Sequence, residues 1–315
     1  MTLINQKKIA LVFPGQGSQS VGMGQDICQT EPEAKSTFYK VVEECDFDLA
    51  KLAWTGPEDA LKRTCHTQPA LLATSAACLQ ALRKYWTDVP LCVAGHSLGE
   101  ISALWAAGVI SLKQAAELTV IRGQLMEGSP SGSMAAVLGM SEEGVKEVCD
   151  DYGIVVANYN TPQQQVVSGS EDGVLKASEK LIELKGKVIP LPVSGAFHSP
   201  LVEEANRKFQ SKINETDFQD AECPVIQNLD AMPYEKSQDL KANLSLQMTS
   251  SVQWVKTIQK MLELGTECFI EVGSGKVLSG LIKKIDRSAK VLQVNDTNSL
   301  NSTLESLGIE KSVLI

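Results

Sequence analysis

Apolar residues run unbroken through Ile9-Ala10-Leu11-Val12-Phe13 and stop at Pro14-Gly15-Gln16-Gly17. A short run of this kind, opening at Lys8 and closed by turn residues, predicts a strand over 8–13 that is buried on both faces. Leu91-Cys92-Val93-Ala94 repeats the pattern, and Cys268 to Val272 does so ahead of Gly273-Ser274-Gly275. Between these runs the period lengthens. Thr67 is placed to cap a helix, with Pro69 in its first turn and an apolar body from Ala70 to Trp86. Residues 100–107 and 112–127 read as two more helices parted by Gly108. Strands alternating with helices predict a mostly parallel sheet covered on both sides.

The style changes at the small-residue linker Ser129-Pro130-Ser131-Gly132-Ser133. Beyond it the pattern gives a strand (134–139), a helix (141–151), two strands (154–158 and 164–169), a helix (171–184) and a strand (187–191). That βαββαβ order predicts a ferredoxin-like two-layer unit. The expected fold class is therefore α/β. Residues 1–130 and 199–315 would form an α/β-hydrolase-like catalytic subdomain, and residues 131–198 an inserted ferredoxin-like small subdomain.

Composition narrows the functional classes. A net charge of −9 argues against nucleic acid as ligand, because neutralising phosphates requires a basic face. An acidic protein partner would need a local basic patch. The eight cysteines show no CxxC pair and several sit in apolar runs, which reads as buried free thiols in a reducing compartment. Lys7 and Lys8 precede an apolar stretch too short for a signal sequence, and no run approaches membrane-spanning length. The expectation is a soluble, cytoplasmic protein with no membrane partner.

The sharpest chemical feature is Gly95-His96-Ser97-Leu98-Gly99, between the second strand and a helix. A nucleophile elbow needs this context. The flanking glycines relieve crowding at a strained turn, and the following helix N-terminus faces the developing oxyanion. A serine hydroxyl also needs a base. Of the three histidines, His96 adjoins the serine on a turn whose successive side chains diverge. His66 lies before a helix in a capping or surface context. His198 tops a strand and turn at Phe197-His198-Ser199-Pro200, so elimination favours it. A carboxylate or a backbone carbonyl would orient the imidazole equally well.

Two Gly-rich loops invite a nucleotide reading, and neither sustains it. Gly15-Gln16-Gly17 lacks the third glycine of a dinucleotide fingerprint, and Gly273-Ser274-Gly275-Lys276 lacks P-loop spacing. The first loop is better read as lending a backbone N–H to an oxyanion hole, with Leu98 supplying the other. Arg122 emerges from a largely apolar helix. It would either pair with Glu117 or another nearby carboxylate, or bind a substrate carboxylate through its two-pronged guanidinium.

Taken in order, Phe13-Pro14-Gly15-Gln16-Gly17-Ser18-Gln19, Thr67-Gln68-Pro69-Ala70, Gly95-His96-Ser97-Leu98-Gly99-Glu100, Arg122-Gly123, Met134-Ala135-Ala136-Val137 and Gly195-Ala196-Phe197-His198-Ser199 resemble the motifs of the malonyl-CoA:acyl carrier protein transacylases. The resemblance spans about residues 8–285. It implies Ser97 as acyl nucleophile, His198 as its base, Gln16 and Leu98 at the oxyanion hole, and Arg122 on the malonyl carboxylate. It further implies that the main-chain carbonyl of Gln247 orients the histidine; Asn160 and Asn228-Leu229-Asp230-Ala231 match further family segments. Residues 248–254 lack the family's usual proline before Val252-Gln253-Trp254, and Ser274 replaces a frequent proline. Phe197 resembles the malonyl rather than the methylmalonyl pattern. The implied activity is ping-pong malonyl transfer from malonyl-CoA to acyl carrier protein for fatty-acid synthesis, by a monomer with no cofactor or metal. A serine hydrolase shares the elbow but gives Arg122 no purpose, and a carrier-docking scaffold gives the serine–histidine pair none.

Overall fold

A computed structural model describes residues 8–193 and 195–310. Lys7, Ser194 and the outermost residues at both ends of the expected catalytic subdomain lie outside the described residues. Ten strands are present among the described residues: β1 (Ile9–Phe13), β2 (Cys92–Gly95), β3 (Ser133–Leu138), β4 (Val155–Thr161), β5 (Gln164–Gly169), β6 (Lys187–Pro190), β7 (Val225–Ile226), β8 (Pro233–Tyr234), β9 (Cys268–Val272) and β10 (Lys290–Val294).

The larger sheet runs in the order β10-β9-β1-β2-β7-β8. Every pairing in it is parallel except β7 with β8. β1 lies near its centre and is buried throughout, as its unbroken apolar run requires. Ile9, Leu11 and Phe13 face one core, while Ala10 and Val12 face another on the opposite side. The helix Thr64–Arg83 packs into the first core with apolar residues around most of its surface. It begins earlier than the sequence suggests. Thr67 lies inside the helix rather than at its cap, and its hydroxyl donates to the Leu61 carbonyl at 2.5 Å. That bond anchors the helix start to the preceding turn and leaves Pro69 in the second turn.

The smaller sheet is antiparallel, in the order β4-β5-β3-β6. Counted within its own βαββαβ unit this is the ferredoxin-like arrangement. Its helices Glu142–Asp151 and Glu171–Glu183 each start on a serine, Ser141 or Ser170, whose hydroxyl accepts a backbone N–H three residues on. Period-two alternation divides β3 between two cores. Ala135 and Val137 face the small unit's own helices, whereas Met134 and Ala136 join the large core. The small sheet is thereby pressed against the carboxyl ends of β1 and β2, where a cleft opens. A second tie is the N–H of Val252, which donates to the Ala157 carbonyl at 2.8 Å.

Candidate active site

The turn from β2 into the helix Gly99–Ala106 leaves no space for side chains at its glycines. A Cβ on Gly95 would collide with the Gly99 carbonyl, and one on Gly99 with the Phe13 carbonyl. Ser97 sits between them at φ 51°, a left-handed conformation that costs a serine about 1–3 kcal/mol. The surrounding bonds hold it there. Asn228 accepts the Ser97 N–H at 2.7 Å and donates to the Gly95 carbonyl at 2.6 Å, spanning the elbow from both sides.

The Ser97 hydroxyl lies 2.8 Å from His198 Nε2. On the far side of that ring, Nδ1 faces the carbonyls of Ser250 at 2.9 Å and Gln247 at 3.1 Å. Carbonyls only accept, so Nδ1 carries the proton and Nε2 presents a lone pair to the serine. Burial first, then the Arg122 charge, pushes the His198 pKa down to about 3. The imidazole is therefore neutral throughout the physiological range.

Arg122 is 1% exposed, and no carboxylate stands within ion-pair distance of it among the described residues. Glu117, the sequence-level candidate partner, instead pairs with Lys212 at 2.7 Å. Arg122 Nη1 donates to Gln68 Oε1 at 2.7 Å, and Nη2 donates to Gln247 Oε1 at 2.9 Å and Ser97 Oγ at 3.1 Å. Among the described residues its Nε has no partner. Burial lowers the guanidinium pKa to about 10, which leaves it charged. Arg122 is thus a buried cation braced by two neutral amides and the Ser97 hydroxyl, an environment suited to an anion.

The remaining expected residues fall around this centre. Leu98 heads the helix after the elbow, and Gln16 lines the same cavity of about 100 Å³. Among the described residues, neither of their N–H groups is taken up by another backbone carbonyl. The Gln16 side chain accepts from Thr64 Oγ1 at 2.6 Å, and Thr64 in turn accepts from Gln68 at 3.1 Å. Gln247 contributes its carbonyl to His198, and its side chain bridges Arg122 and the Ser97 carbonyl despite the missing proline downstream. His96 points away from the serine, with Nε2 2.8 Å from Asn160 Oδ1 of the small sheet. His66 is structural: its Nδ1 lies 2.8 Å from the Ala60 carbonyl and its ring tilts against Phe47. Gln68 and Asn228 stand out only as members of longer motifs, and nothing in the sequence marks Ser250. Amides and main-chain carbonyls carry no residue-type signal of catalysis.

The described residues contain no group of three or more His, Cys, Asp or Glu side chains suited to a metal. A model of the acyl transferase domain matches residues 10–300. The chain belongs to that family. This acyl transferase is 41% identical over 309 residues to the malonyl CoA-acyl carrier protein transacylase of Bacillus subtilis, an alignment covering 95% of this chain and 97% of that relative. The crystal structure of an acyl carrier protein S-malonyltransferase from Vibrio cholerae superimposes with a TM-score of 0.90 at 38% identity, covering 94% of this chain and 99% of the other. A type II PKS acyl-carrier protein in complex with its malonyl-transacylase contains a chain matching at TM-score 0.91 and 35% identity, over 95% of this chain and 99% of that one.

Proposed function

We infer that this acyl transferase moves the malonyl group from malonyl-CoA to the phosphopantetheine thiol of acyl carrier protein, through an ester on Ser97. The observation that carries the substrate choice is Arg122, a buried guanidinium 3.1 Å from the Ser97 hydroxyl that, among the described residues, has no carboxylate at ion-pair distance. A dicarboxylic acyl group supplies the missing charge. A plain hydrolase has no use for it.

In the first half-reaction His198 Nε2 takes the Ser97 proton as Oγ attacks the thioester carbon. Negative charge develops on the carbonyl oxygen, within reach of the Leu98 and Gln16 N–H groups. Collapse breaks the C–S bond, and the proton on His198 passes to the departing CoA sulfur. The carrier thiol then gives its proton to His198 and attacks the ester, and Ser97 leaves with that proton restored. Arg122 performs a second task here. Its charge suppresses His198 basicity in the empty site, and pairing with the malonyl carboxylate lifts that suppression. An acetyl group would do neither.

The eight cysteines are free thiols, which supports a cytoplasmic location, and no helix among the described residues is long and apolar enough to cross a membrane. We further propose that the chain acts as a monomer with domain boundaries near residues 130 and 199. Transfer of labelled malonyl and acetyl groups to carrier protein tests the functional assignment. Malonyl transfer should dominate, whereas release of free malonate without carrier dependence would contradict it.

A further inference from the structure

Among the described residues, Glu100 is the one buried acid beside the site that the mechanism above leaves unused. It lies three residues after the nucleophile, 1% exposed, in the first turn of the helix Gly99–Ala106. Its Oε2 accepts the Asn228 backbone N–H at 2.6 Å, and its Oε1 accepts from Gln227 Nε2 at 3.3 Å. Asn228 is the residue whose side chain grips Ser97 N–H and the Gly95 carbonyl. The carboxylate therefore fixes the backbone from which the clamp on the elbow is built.

The same carboxylate has an electrostatic role. Three elements surround it: the helix Leu112–Glu127 carrying Arg122, the helix Ser237–Gln247 ending in Gln247, and the segment holding Gln227 and Asn228. Arg122 is the charged group that acts on it, and Glu100 is the acid whose charge reaches Arg122. His96 and His198 are both held toward their neutral forms by burial.

We propose that Glu100 is a positioning residue for acyl transfer, holding the Ser97 elbow through Asn228 and setting the net charge that an incoming carboxylate meets at Arg122. The second half rests on Arg122 as the carboxylate site. Burial lifts the Glu100 pKa to about 7, against the lowering effects of its hydrogen bonds and of Arg122. Below that pH the side chain is neutral and Arg122 stands uncompensated. Above it the ionised side chain, buried behind the cavity wall, offsets part of the Arg122 charge that an incoming carboxylate meets, so malonyl binding weakens as pH rises through about 7.

The test measures KM and kcat for malonyl-CoA and acetyl-CoA from pH 6 to 9, on wild type, Glu100→Gln and Glu100→Ala, with melting curves. Acetyl-CoA carries the same CoA phosphates and cancels their titration. In wild type the malonyl-to-acetyl KM ratio rises through pH 7; a ratio flat in pH overturns the charge role even if a variant fails to fold. In folded Glu100→Gln, which keeps an acceptor for the Asn228 N–H, the ratio becomes flat; in folded Glu100→Ala, which removes that acceptor, kcat drops about 10- to 100-fold for both donors as the elbow loosens. A kcat within threefold of wild type for both donors in Glu100→Ala, or a ratio that still climbs in Glu100→Gln, overturns the proposal. Arg122→Ala separates the two levels of inference. If it harms both donors alike, the carboxylate clamp fails. If it is malonyl-selective while neither Glu100 variant changes anything, only the Glu100 proposal falls.

Discussion

Ser97 and His198 face each other across 2.8 Å, and both adopt left-handed backbone conformations, φ 51° and 56°. Neither is a glycine, so each carries strain that its surroundings must hold in place. For Ser97 the holder is Asn228. For His198 it is the pair of carbonyls at Gln247 and Ser250, which fixes the ring without any acid.

On the proposed mechanism, loss of the His198 imidazole leaves an unassisted hydroxyl. His198→Ala should lower transfer roughly 10²–10⁴-fold while leaving the far-ultraviolet spectrum unchanged. Its depressed pKa makes a second prediction, with a definite sign. The folded protein holds His198 neutral down to about pH 3, so acetylation of Ser97 should show no histidine limb between pH 5 and 7. The unfolded chain does take up that proton below its ordinary value near 6.5, so the His198 contribution to stability is present above that pH and is lost progressively as pH falls toward 3. A rate profile with a midpoint near 6.5 would contradict the buried neutral imidazole.

Arg122→Ala should reverse the acyl preference. Without the guanidinium a malonyl carboxylate sits unpaired in a buried pocket, a penalty of about 2–5 kcal/mol. That corresponds to a fall of roughly 30- to several thousand-fold in malonyl kcat/KM, while acetyl is spared or improved. The malonyl-to-acetyl ratio of kcat/KM checks it beside a melting curve. A ratio unchanged within threefold, with a lowered melting temperature, would make Arg122 a structural cation.

An acidic carrier would need a local basic patch, because the net charge of this chain is −9. Lys283, Lys284 and Arg287 are exposed and, among the described residues, form no ion pair. Together with the turn at Thr161-Pro162-Gln163 they line a groove between the small sheet and the helix Val277–Ile285. Reversing the three charges should raise the KM for carrier and leave that for malonyl-CoA unchanged. Unaltered carrier kinetics would remove the groove from consideration.

Gly95 offers a test of the elbow independent of its chemistry. A Cβ there would overlap the Gly99 backbone, so Gly95→Ala should cost roughly 1–3 kcal/mol and lower both the melting temperature and the rate of Ser97 acylation. Wild-type values for both would show that the turn has room that the geometry denies.

These residues also show where the sequence is legible. The elbow and the small subdomain's elements could be read to within a few residues, because short apolar runs and the turn residues that bound them are local signals. The helix Thr64–Arg83 was harder: Thr67 has the chemistry of a cap, but its hydroxyl is engaged by Leu61 instead. Four helices between Gln25 and Lys62 are five to eleven residues long and leave no sustained period. β7 and β8 have two residues each, and their pairing is set by contact with the sheet. In the site, Ser97, His198 and Arg122 announce themselves by side-chain type. Gln68, Asn228 and the Ser250 carbonyl act through distances that only the fold brings together.

Mass measurement of the peptide carrying Ser97, after mixing with malonyl-CoA and no carrier, tests the central claim most directly. The account predicts a malonyl ester on Ser97 that disappears when carrier protein is added, with the malonyl group recovered on the carrier thiol. In Ser97→Ala, with its fold intact, the adduct should be absent. An adduct that persists in that variant, or transfer to carrier with no acyl-enzyme formed, would contradict it.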